Sequence, residues 1–542
     1  MSRRERRPPV VALFLVVFDQ KVGYTISWKR SVDDVDLDGV EFKSLPSGLH
    51  AVKEDLIYFI QGDHAGVTAF VQEEADARQR NASFVAVGAL ISLNHGQLGR
   101  SWTHAEELRR LAKVVVKQAS DTEPLEEFWE QHRVDNPNRT APSSPVASRA
   151  DGANGLGRKR LASEATLAGF HAEWSWPLDH PALHVPSMLE TFGPLLFPLH
   201  RAALARQRIL FLGSPSVQHN ANTVYLTSVL STISQSFAES LPLEAEPILR
   251  GSPLFSVGIH DIPDLTARAG DAGGWIATST DDILGDKKNL YDLLVRLPSQ
   301  TATSKAWPEL KTSFGRVIKA SQRDLRRWNL LRRELRRLRR QTVTMFADES
   351  PSVSENDQRP LLERRDTSRE AIGEAALQQR DDTEAVEPSS WSAMAYRGFM
   401  WWASAGDVSA WENEEFKADE ELLFDMPDIG GMFPGTADQR TQEDKESEFA
   451  RAAATLLVAY FRRITESLLR PLASIVEAAD DATEEGIEED EIRLDGDDLR
   501  AMGLDTWSEL DKQFVKRMLK IWFGRDAAVT ENGVRICGVR VY

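Results

Sequence analysis

One segment of the chain has both the residues and the position of a catalytic nucleophile. Residues 213–217 read Gly-Ser-Pro-Ser-Val and stand between the strand-like run at 208–212 and a helix-like stretch. An α/β hydrolase carries a Gly-x-Ser-x-Gly elbow at such a turn, but the fifth position here is Val217, and Pro215 disfavours the sharp bend. We keep a hydrolase as a minor hypothesis. The simpler interpretation is a tight turn in which Ser214 and Ser216 cap the next helix.

Histidines and carboxylates are the other side chains that could do chemistry. Four histidines are close in sequence: His171, His180, His184 and His200. His180 and His184 have the spacing of helical metal ligands, but prolines flank them and no His-Glu-x-x-His motif is present. We therefore expect ordinary core or surface histidines. The acidic runs at 33–36 and 281–282 lack the EF-hand spacing and are expected to be solvated loops. The prediction is a protein without a metal site and without a cofactor.

Composition excludes several classes of function. No Gly-x-x-x-x-Gly-Lys-[Ser/Thr] motif occurs, and the basic segment at 155–160 lacks the strand-to-helix context of a phosphate-binding loop. A net charge of −18 argues against nucleic acid as the main partner. The single cysteine, Cys537, excludes an intramolecular disulfide framework and most cysteine-based zinc sites, which fits a reducing compartment.

The N-terminus combines basic residues at 3–7 with an apolar run at 10–18. A membrane span needs about 20 apolar residues, and a signal peptide needs small residues at a cleavage site. This run ends at Asp19 without such a site, and Pro8 and Pro9 would break a helix. We therefore predict a buried strand that forms a hairpin with residues 24–28, in a cytoplasmic protein whose contact with membranes is at most peripheral.

Strand-like and helix-like segments alternate over the first 320 residues, which predicts an α/β fold whose central part has a mostly parallel sheet. Local patterns predict a loop or short strand at 39–48, a helix at 103–117 with a capping box of Thr103 and Glu106, and a helix at 223–237. The predicted organisation is an N-terminal lobe at 9–134, a linker or flexible loop at 135–167, a central α/β lobe at 168–320, a basic amphipathic helix at 321–345, a disordered segment at 346–388, and a mainly helical domain with an acidic loop at 389–542.

The basic helix carries the strongest physical signal. Leucines and one tryptophan form a narrow apolar stripe on a segment rich in arginine. Each arginine near an anionic bilayer would contribute about 1 kcal/mol, enough to recruit the protein to a membrane. The candidate membrane-contact residues are Arg326, Arg333, Arg337 and Arg340. The alternative is that the stripe packs inside the protein and that the arginines pair with its many carboxylates.

Several ordered segments between residues 10 and 300 resemble the LCHN-type DENN-domain proteins. The segments that carry the resemblance are 10–28, 36–44, 55–59, 192–197 (Phe-Gly-Pro-Leu-Leu-Phe), 208–211, 255–263 and 274–284. The tail, at 398–404 (Gly-Phe-Met-Trp-Trp-Ala-Ser) and 503–508 (Gly-Leu-Asp-Thr-Trp-Ser), is similar to the fungal branch of that family, where it carries a domain of uncharacterised role.

The resemblance implies a longin-like N-terminal lobe, a central α/β lobe and a more helical C-terminal region. It further implies a guanine-nucleotide exchange factor for a Rab-type small GTPase in intracellular membrane traffic. Such a protein acts by binding the nucleotide-free GTPase and performs no covalent chemistry. The alternative is an adaptor of the same fold that binds GTPases or coat proteins without releasing nucleotide. The resemblance assigns no GTPase-contact residue.

Overall fold

The computed structural model describes residues 7–19, 21–32, 35–46, 52–74, 82–95, 99–118, 121–134, 180–214, 216–234, 237–238, 241, 249–270, 273–298, 306–344, 382–388, 409–424, 442–484, 491–530, 534–536 and 539–541. The predicted linker at 135–167 and most of the segment at 346–388 lie outside these residues. Within the latter, residues 382–388 form one helical turn and a parallel bridge from Val386 to Ala320.

The described residues form strands and helices with the following bounds. The strands are β1 (Ala12–Asp19), β2 (Gly23–Ser31), β3 (Glu54–Gln61), β4 (His64–Glu74), β5 (Ala82–Ser92), β6 (Ile209–Leu212), β7 (Ser252–Ser256), β8 (Trp275–Ser279), β9 (Leu293–Arg296), β10 (Glu309–Thr312), β11 (Val317–Ile318), β12 (Ile492–Leu494), β13 (Ala527–Val529), β14 (Val534–Ile536) and β15 (Val539–Val541). The helices are α1 (Val40–Lys43), α2 (Ala105–Val115), α3 (Glu123–His132), α4 (Val185–Phe192), α5 (Leu196–Leu204), α6 (Val217–Leu230), α7 (Ile262–Ala267), α8 (Asp282–Asp286), α9 (Gln322–Thr344), α10 (Asp382–Ala385), α11 (Ser409–Phe424), α12 (Gln442–Glu484), α13 (Gly496–Ala501) and α14 (Glu509–Phe523).

The chain divides into two compact units that interleave in sequence. The first unit comprises residues 1–182, 207–228 and 251–296, and the second comprises 183–206, 229–250 and 297–542. Neither unit coincides with one predicted segment. The domain boundaries given in the sequence analysis remain predictions. The architecture is a mixed α/β fold with a large mixed sheet in the first unit and a helical C-terminal region in the second.

The sheet of the first unit has an antiparallel half and a parallel half. Its order is β2-β1-β5-β4-β3-β7-β8-β6-β9, with β2 at one end. Every neighbouring pair from β2 to β7 is antiparallel, whereas β7, β8, β6 and β9 run parallel to one another. Within the predicted central segment, β6–β9 are therefore parallel and β10 and β11 are antiparallel to each other, in a sheet that is mixed as a whole.

The apolar run at the N-terminus is a strand, as predicted. In β1, residues 12–16 are buried, and the strand pairs with β2 on one side and β5 on the other. The predicted hairpin with residues 24–28 is also confirmed. Gly88 in β5 is required by this packing, because a Cβ there would lie 2.2 Å from the ring of Phe14. An alanine at that position would force the Phe14 ring out of its place.

Helix α6 differs in extent from the helix predicted at 223–237. It begins at Val217 and ends at Leu230, and almost all of it is buried. Its polar side chains are satisfied inside the protein: Thr223 and Thr227 each donate to the carbonyl four residues earlier, and Ser228 donates to the carbonyl of Gly251 at 2.6 Å. A helix without a solvated face has no amphipathic stripe, so periodicity placed its ends wrongly.

Two other local predictions were wrong. Residues 39–48 were predicted as a loop or short strand, but they contain α1, which follows Gly39 at a φ of 79°. The capping box predicted for α2 is absent, because a short 3-10 helix at residues 101–104 precedes α2 and the Thr103 hydroxyl donates to the Arg100 carbonyl at 2.8 Å. In both places the chain forms a short helical segment of four residues, which the residue types alone do not predict.

The second unit is built around α12, which contacts α4, α9 and α11. Phe461 of α12 is fully buried and its ring centroid lies 5.4 Å from that of Phe197 on α5. The acidic stretch at 480–498 was predicted as a loop, but its last part forms β12 and the start of α13. There Asp495 accepts hydrogen bonds from the backbone of Asp497 and Asp498, which caps α13.

A network of buried ion pairs joins the helices of the second unit. Arg201 of α5 donates to both carboxylate oxygens of Asp324 on α9, at 2.9 and 2.7 Å, and its Nε lies 3.2 Å from Asp511 of α14. Burial alone would lower the pKa of Arg201, but the two carboxylates raise it above its usual value, so the guanidinium stays charged. A planar guanidinium with two carboxylates fixes three helices in one arrangement.

Replacing one member of this network tests its contribution. We expect Asp324→Asn to destabilise the protein by about 3–5 kcal/mol, because Arg201 would stay buried with less than its full counter-charge. Thermal unfolding followed by circular dichroism measures the loss as a lower midpoint. Asp526→Asn, which removes a surface carboxylate paired with Lys520, is the matched control and should unfold like wild type. Equal midpoints for the two variants would contradict the expectation.

Asp511 predicts a pH dependence of stability. Burial first, and Asp324 beside it, raise the pKa of Asp511 from 3.8 to about 6 in the folded protein. The folded state therefore holds this proton more tightly than the unfolded state, so its contribution to stability is present below pH of about 4 and is lost as the pH rises through 6. Asp511→Asn keeps the uncharged form at every pH. Urea midpoints measured between pH 4.5 and 7.5 should shift in favour of the variant as the pH rises, and a constant difference would refute this.

Candidate functional site

A cleft opens at the carboxyl ends of the parallel strands of the first unit. Its volume is about 420 Å³. Residues 256–261 comprise the end of β7 and the loop after it, and residues 278–281 comprise the end of β8 and the turn after it. Helix α6 follows β6, so the ends of three neighbouring strands contribute to one wall. The opposite wall comes from β2 and from the segment around α1. In open α/β sheets, ligands and partners bind outside the carboxyl ends of the strands.

An ion pair closes the deep part of the cleft. Lys43 at the end of α1 places its Nζ 2.9 Å from Asp261, and both side chains are mostly buried. Lys43 also donates to the carbonyl of Ile60 at 3.2 Å, while the second oxygen of Asp261 accepts from the backbone of Gly258 at 2.8 Å. The pair therefore fixes α1 against the loop after β7. Nothing in the local sequence indicates it, because its members are far apart in the chain.

Two exposed apolar side chains border the cleft, and we call them the apolar rim. Phe42 is 43% exposed and stacks on His260 with ring centroids 4.2 Å apart, and Ile259 is 46% exposed. Below the rim, the buried hydroxyls of Ser256 and Thr278 form no hydrogen bond among the described residues. The border of the cleft is therefore apolar, whereas the two buried hydroxyls beneath it are polar.

The turn at 213–217 has a structural role, and the nucleophile hypothesis fails there. Asp55 of β3 accepts hydrogen bonds from the Ser216 hydroxyl at 2.9 Å and from the backbone of Val217 and Gln218 at 2.6 and 3.1 Å. The Asp55 carboxylate therefore caps α6. The sequence had predicted that Ser214 and Ser216 would cap this helix. The Ser214 carbonyl accepts from the side chain of Asn220. The Ser216 hydroxyl is therefore hydrogen-bonded to a carboxylate and not to a histidine base of the kind that activates the serine of a hydrolase.

Among the residues that the structure describes, the clustered histidines do not form a group of metal ligands. His180 lies in the first unit and accepts from the backbone of Ala182, whereas His184 and His200 lie in the second unit. His200 is fully buried, lies 3.1 Å from the Thr465 hydroxyl, and has a pKa lowered to about 3, mainly by burial. His171 lies outside the described residues.

The acidic candidates are also dispersed. Asp281 lines the cleft, whereas the neighbouring Asp282 pairs with Arg296 at 3.0 Å. Asp36 accepts from the backbone of Asp38, and positions 33 and 34 lie outside the described residues. The described residues do contain one group of converging donors that the sequence did not predict, formed by His104, Glu107 and His132.

The basic helix α9 uses part of its positive charge inside the protein. Arg323 and Arg327 are buried and both bind Asp419 of α11, at 3.2 and 2.8 Å. The predicted apolar stripe packs inward: Trp328, Leu331 and Leu338 are buried.

The candidate membrane-contact residues lie on the outer part of α9. Arg326 is 2.5 Å from Glu415, Arg333 is 3.3 Å from Glu420, and Arg337 is 3.4 Å from Glu334 of its own helix. Arg340 lies in the last turns of α9, and its side chain is exposed. Contact with a membrane remains a prediction for these four residues. Among the helices of the described part of the chain, none is long and apolar enough to span a lipid bilayer.

Comparison with known proteins identifies the chain. The large mixed sheet and its helices make this chain a mixed α/β protein. A family model described as DENN domain-containing protein 11 matches residues 13–306, more than half of the chain. The chain therefore belongs to the DENN domain-containing protein 11 family. A second model, described as a domain of unknown function (DUF4484), matches residues 386–492 and 483–542.

Individual relatives agree with both matches. A zebrafish (Danio rerio) protein named DENN domain-containing protein 11 is 29% identical over 295 residues, which cover 54% of this chain and 54% of the relative. Over that match, the chain spans about half the length of this vertebrate relative. The Saccharomyces cerevisiae protein "Uncharacterized protein ANR2" is 23% identical over 98% of this chain and 94% of its own length. The Schizosaccharomyces pombe protein "Uncharacterized protein C119.16c" is 26% identical over 58% of this chain and 70% of its own. The family predicted from the sequence, including the fungal relatives with the C-terminal domain, is confirmed.

Proposed function

We propose that this protein is a guanine-nucleotide exchange factor for a Rab-type small GTPase in membrane traffic, and that the cleft of the first unit contacts the GTPase. In this proposal β1–β5 with α2 and α3 form a longin-like lobe, and β6–β9 with their helices form the central lobe. The observation that carries the proposal is the cleft itself, which combines the apolar rim with an anchored ion pair and unpaired hydroxyls inside the region matched by the DENN family.

The mechanism requires no reactive side chain. An exchange factor accelerates nucleotide release by binding the nucleotide-free GTPase more tightly than the loaded form. An acceleration of about ten-thousand-fold corresponds to about 5.5 kcal/mol of differential binding. The apolar rim can supply part of this energy, since aromatic and aliphatic anchors carry most of the free energy of a protein interface. Lys43 and Asp261 hold the rim in place, because α1 and the loop after β7 each carry one rim residue.

Substitution of the rim tests the site. We expect the double variant Phe42→Ala/Ile259→Asp to slow the release of fluorescent GDP from the cognate Rab at least about 30-fold, the effect of losing about 2 kcal/mol of binding. The cognate Rab is first found by measuring release over a panel of purified Rabs. Val114→Asp alters another exposed apolar residue of the same unit outside the cleft and should leave release unchanged. An equal loss in the control, or full activity in the rim variant, would exclude the cleft.

The same assay separates exchange activity from the adaptor alternative. An adaptor would bind a Rab, measured by pull-down of the nucleotide-free and loaded forms, without changing the rate of GDP release. The DENN fold and the cleft are common to both functions. If wild-type protein neither binds nor accelerates any member of the panel, exchange activity and an adaptor that binds Rab-type GTPases are both excluded, which leaves only an adaptor for coat proteins.

We also propose that the outer arginines of α9 contact anionic membranes and recruit the exchange factor to its GTPase. The triple variant Arg333→Gln/Arg337→Gln/Arg340→Gln should lose about 3 kcal/mol of membrane affinity, at about 1 kcal/mol for each arginine. Co-sedimentation with phosphatidylserine vesicles measures the loss. Arg326 is left intact because its pair with Glu415 holds α11. Arg462→Gln/Arg470→Gln, on the exposed surface of α12, is the control, and unchanged sedimentation of the triple variant would remove the membrane role.

A further inference from the structure

Three metal-ligating side chains converge at the base of α2 in the first unit. One donor atom from each of His104, Glu107 and His132 lies within 4.8 Å of the donor atoms of the other two. His104 immediately precedes α2 and Glu107 follows it by three positions, so both face the same side of the chain. His132 comes from the last position of α3. The two imidazole rings are nearly perpendicular, with centroids 5.2 Å apart.

The hydrogen bonds of the two histidines determine which ring nitrogen of each is an acceptor. His104 Nε2 lies 2.8 Å from the carbonyl of Pro8, and His132 Nδ1 lies 3.0 Å from the carbonyl of Phe128. A carbonyl only accepts, so each of these nitrogens carries the proton. In the neutral rings, His104 Nδ1 and His132 Nε2 are therefore unprotonated, and each has a lone pair that can accept a hydrogen bond or bind a metal. Histidines that bind metals donate their other ring N–H to a backbone carbonyl in this way.

Two hydrogen-bond acceptors of this group, His104 Nδ1 and Glu107 Oε2, have no hydrogen-bond donor among the described residues. His104 is fully buried, and its Nδ1 has no hydrogen-bond partner among the described residues. Arg7 binds one oxygen of Glu107, and the other oxygen, Oε2, lies 3.2 Å from His132 Nε2. A proton on His132 Nε2 would form a hydrogen bond to Glu107 but would leave His104 Nδ1 without a partner. A metal cation between the three side chains would interact with all of them.

We propose that His104, Glu107 and His132 bind a divalent transition-metal ion, with zinc as the best fit. Two imidazoles and one carboxylate are a donor set that zinc accepts, with a water molecule completing the tetrahedron. Ligands of a tetrahedral zinc are about 3.3 Å apart at bond lengths of about 2.0 Å, which is close to the separation already present between His132 and Glu107. The ion would connect α2 with α3 and, through the carbonyl of Pro8, with the chain that enters β1.

Zinc binding by the full-length protein tests this site. Each protein carries Cys537→Ser, which removes the only thiol of the chain. After stripping with a chelator and reloading, metal analysis and competition against a fluorescent zinc chelator give stoichiometry and affinity. We expect one zinc per wild-type chain, and at least tenfold weaker binding for Glu107→Gln and His132→Gln, because each removes one ligand. Glu106→Gln alters the neighbouring exposed carboxylate of α2 and should bind zinc like wild type.

The outcomes decide the proposal even if a ligand variant does not fold. Cobalt is added to the metal-free Cys537→Ser protein, which keeps all three proposed ligands. One equivalent should produce the visible absorption bands of a tetrahedral Co²⁺ ion, and added zinc should abolish them. The proposal is overturned if that protein shows no such bands, or if folded Glu107→Gln and His132→Gln bind zinc as tightly as Glu106→Gln. Zinc should also raise the thermal midpoint of the wild-type-ligand protein, because it binds the folded state alone. The result does not depend on exchange activity, so either proposal can fail without the other.

Discussion

The cleft of the first unit depends on one carboxylate. Asp55, in the antiparallel half of the sheet, accepts three hydrogen bonds from Ser216 and from the first two residues of α6, which follows a strand of the parallel half. The negative charge meets the positive end of the helix dipole and satisfies backbone donors that would otherwise be buried without partners. Because α6 provides Val217 and Asn220 to the cleft wall, this contact determines where that wall stands relative to the strand ends. The segment with the appearance of a catalytic turn is thus part of a brace between two halves of a sheet.

Charge has a different role in the second unit. Arg201, Arg323 and Arg327 are all buried, and each binds an aspartate that reaches it from another helix. Buried ion pairs contribute little net stability compared with apolar packing, but an unmatched charge in the interior is costly, so only the arrangement that pairs every charge is tolerated. This explains why an arginine-rich helix can lie partly inside a protein. The inner arginines specify how the helices meet, whereas Arg326, Arg333 and Arg337 pair with carboxylates nearer the surface.

The sequence predicted those features that depend on neighbouring residues. The strand at residues 12–19, the hairpin and the parallel central strands follow from continuous apolar runs whose burial leaves little choice of conformation. The ends of α6 could not be predicted, because its buried threonines bond to their own backbone and give it no polar face. The pairs Lys43–Asp261 and Asp55–Ser216 also escaped prediction, since their members meet only after the sheet has formed. For the histidine–glutamate group, the spacing of His104 and Glu107 was visible, but His132 arrives on a separate helix.

The position of β2 at one end of the sheet bears on solubility. A terminal strand has one row of backbone amides and carbonyls that no neighbouring strand in its sheet covers, and such a row can recruit a strand from another molecule. Here Lys29 and Arg30 occupy the exposed second half of the strand, and Arg30 is held by Glu126 of α3. Lysine on an edge strand disfavours the addition of a strand from another molecule. Lys29 therefore works against the use of this long and largely apolar sheet as a template for aggregation.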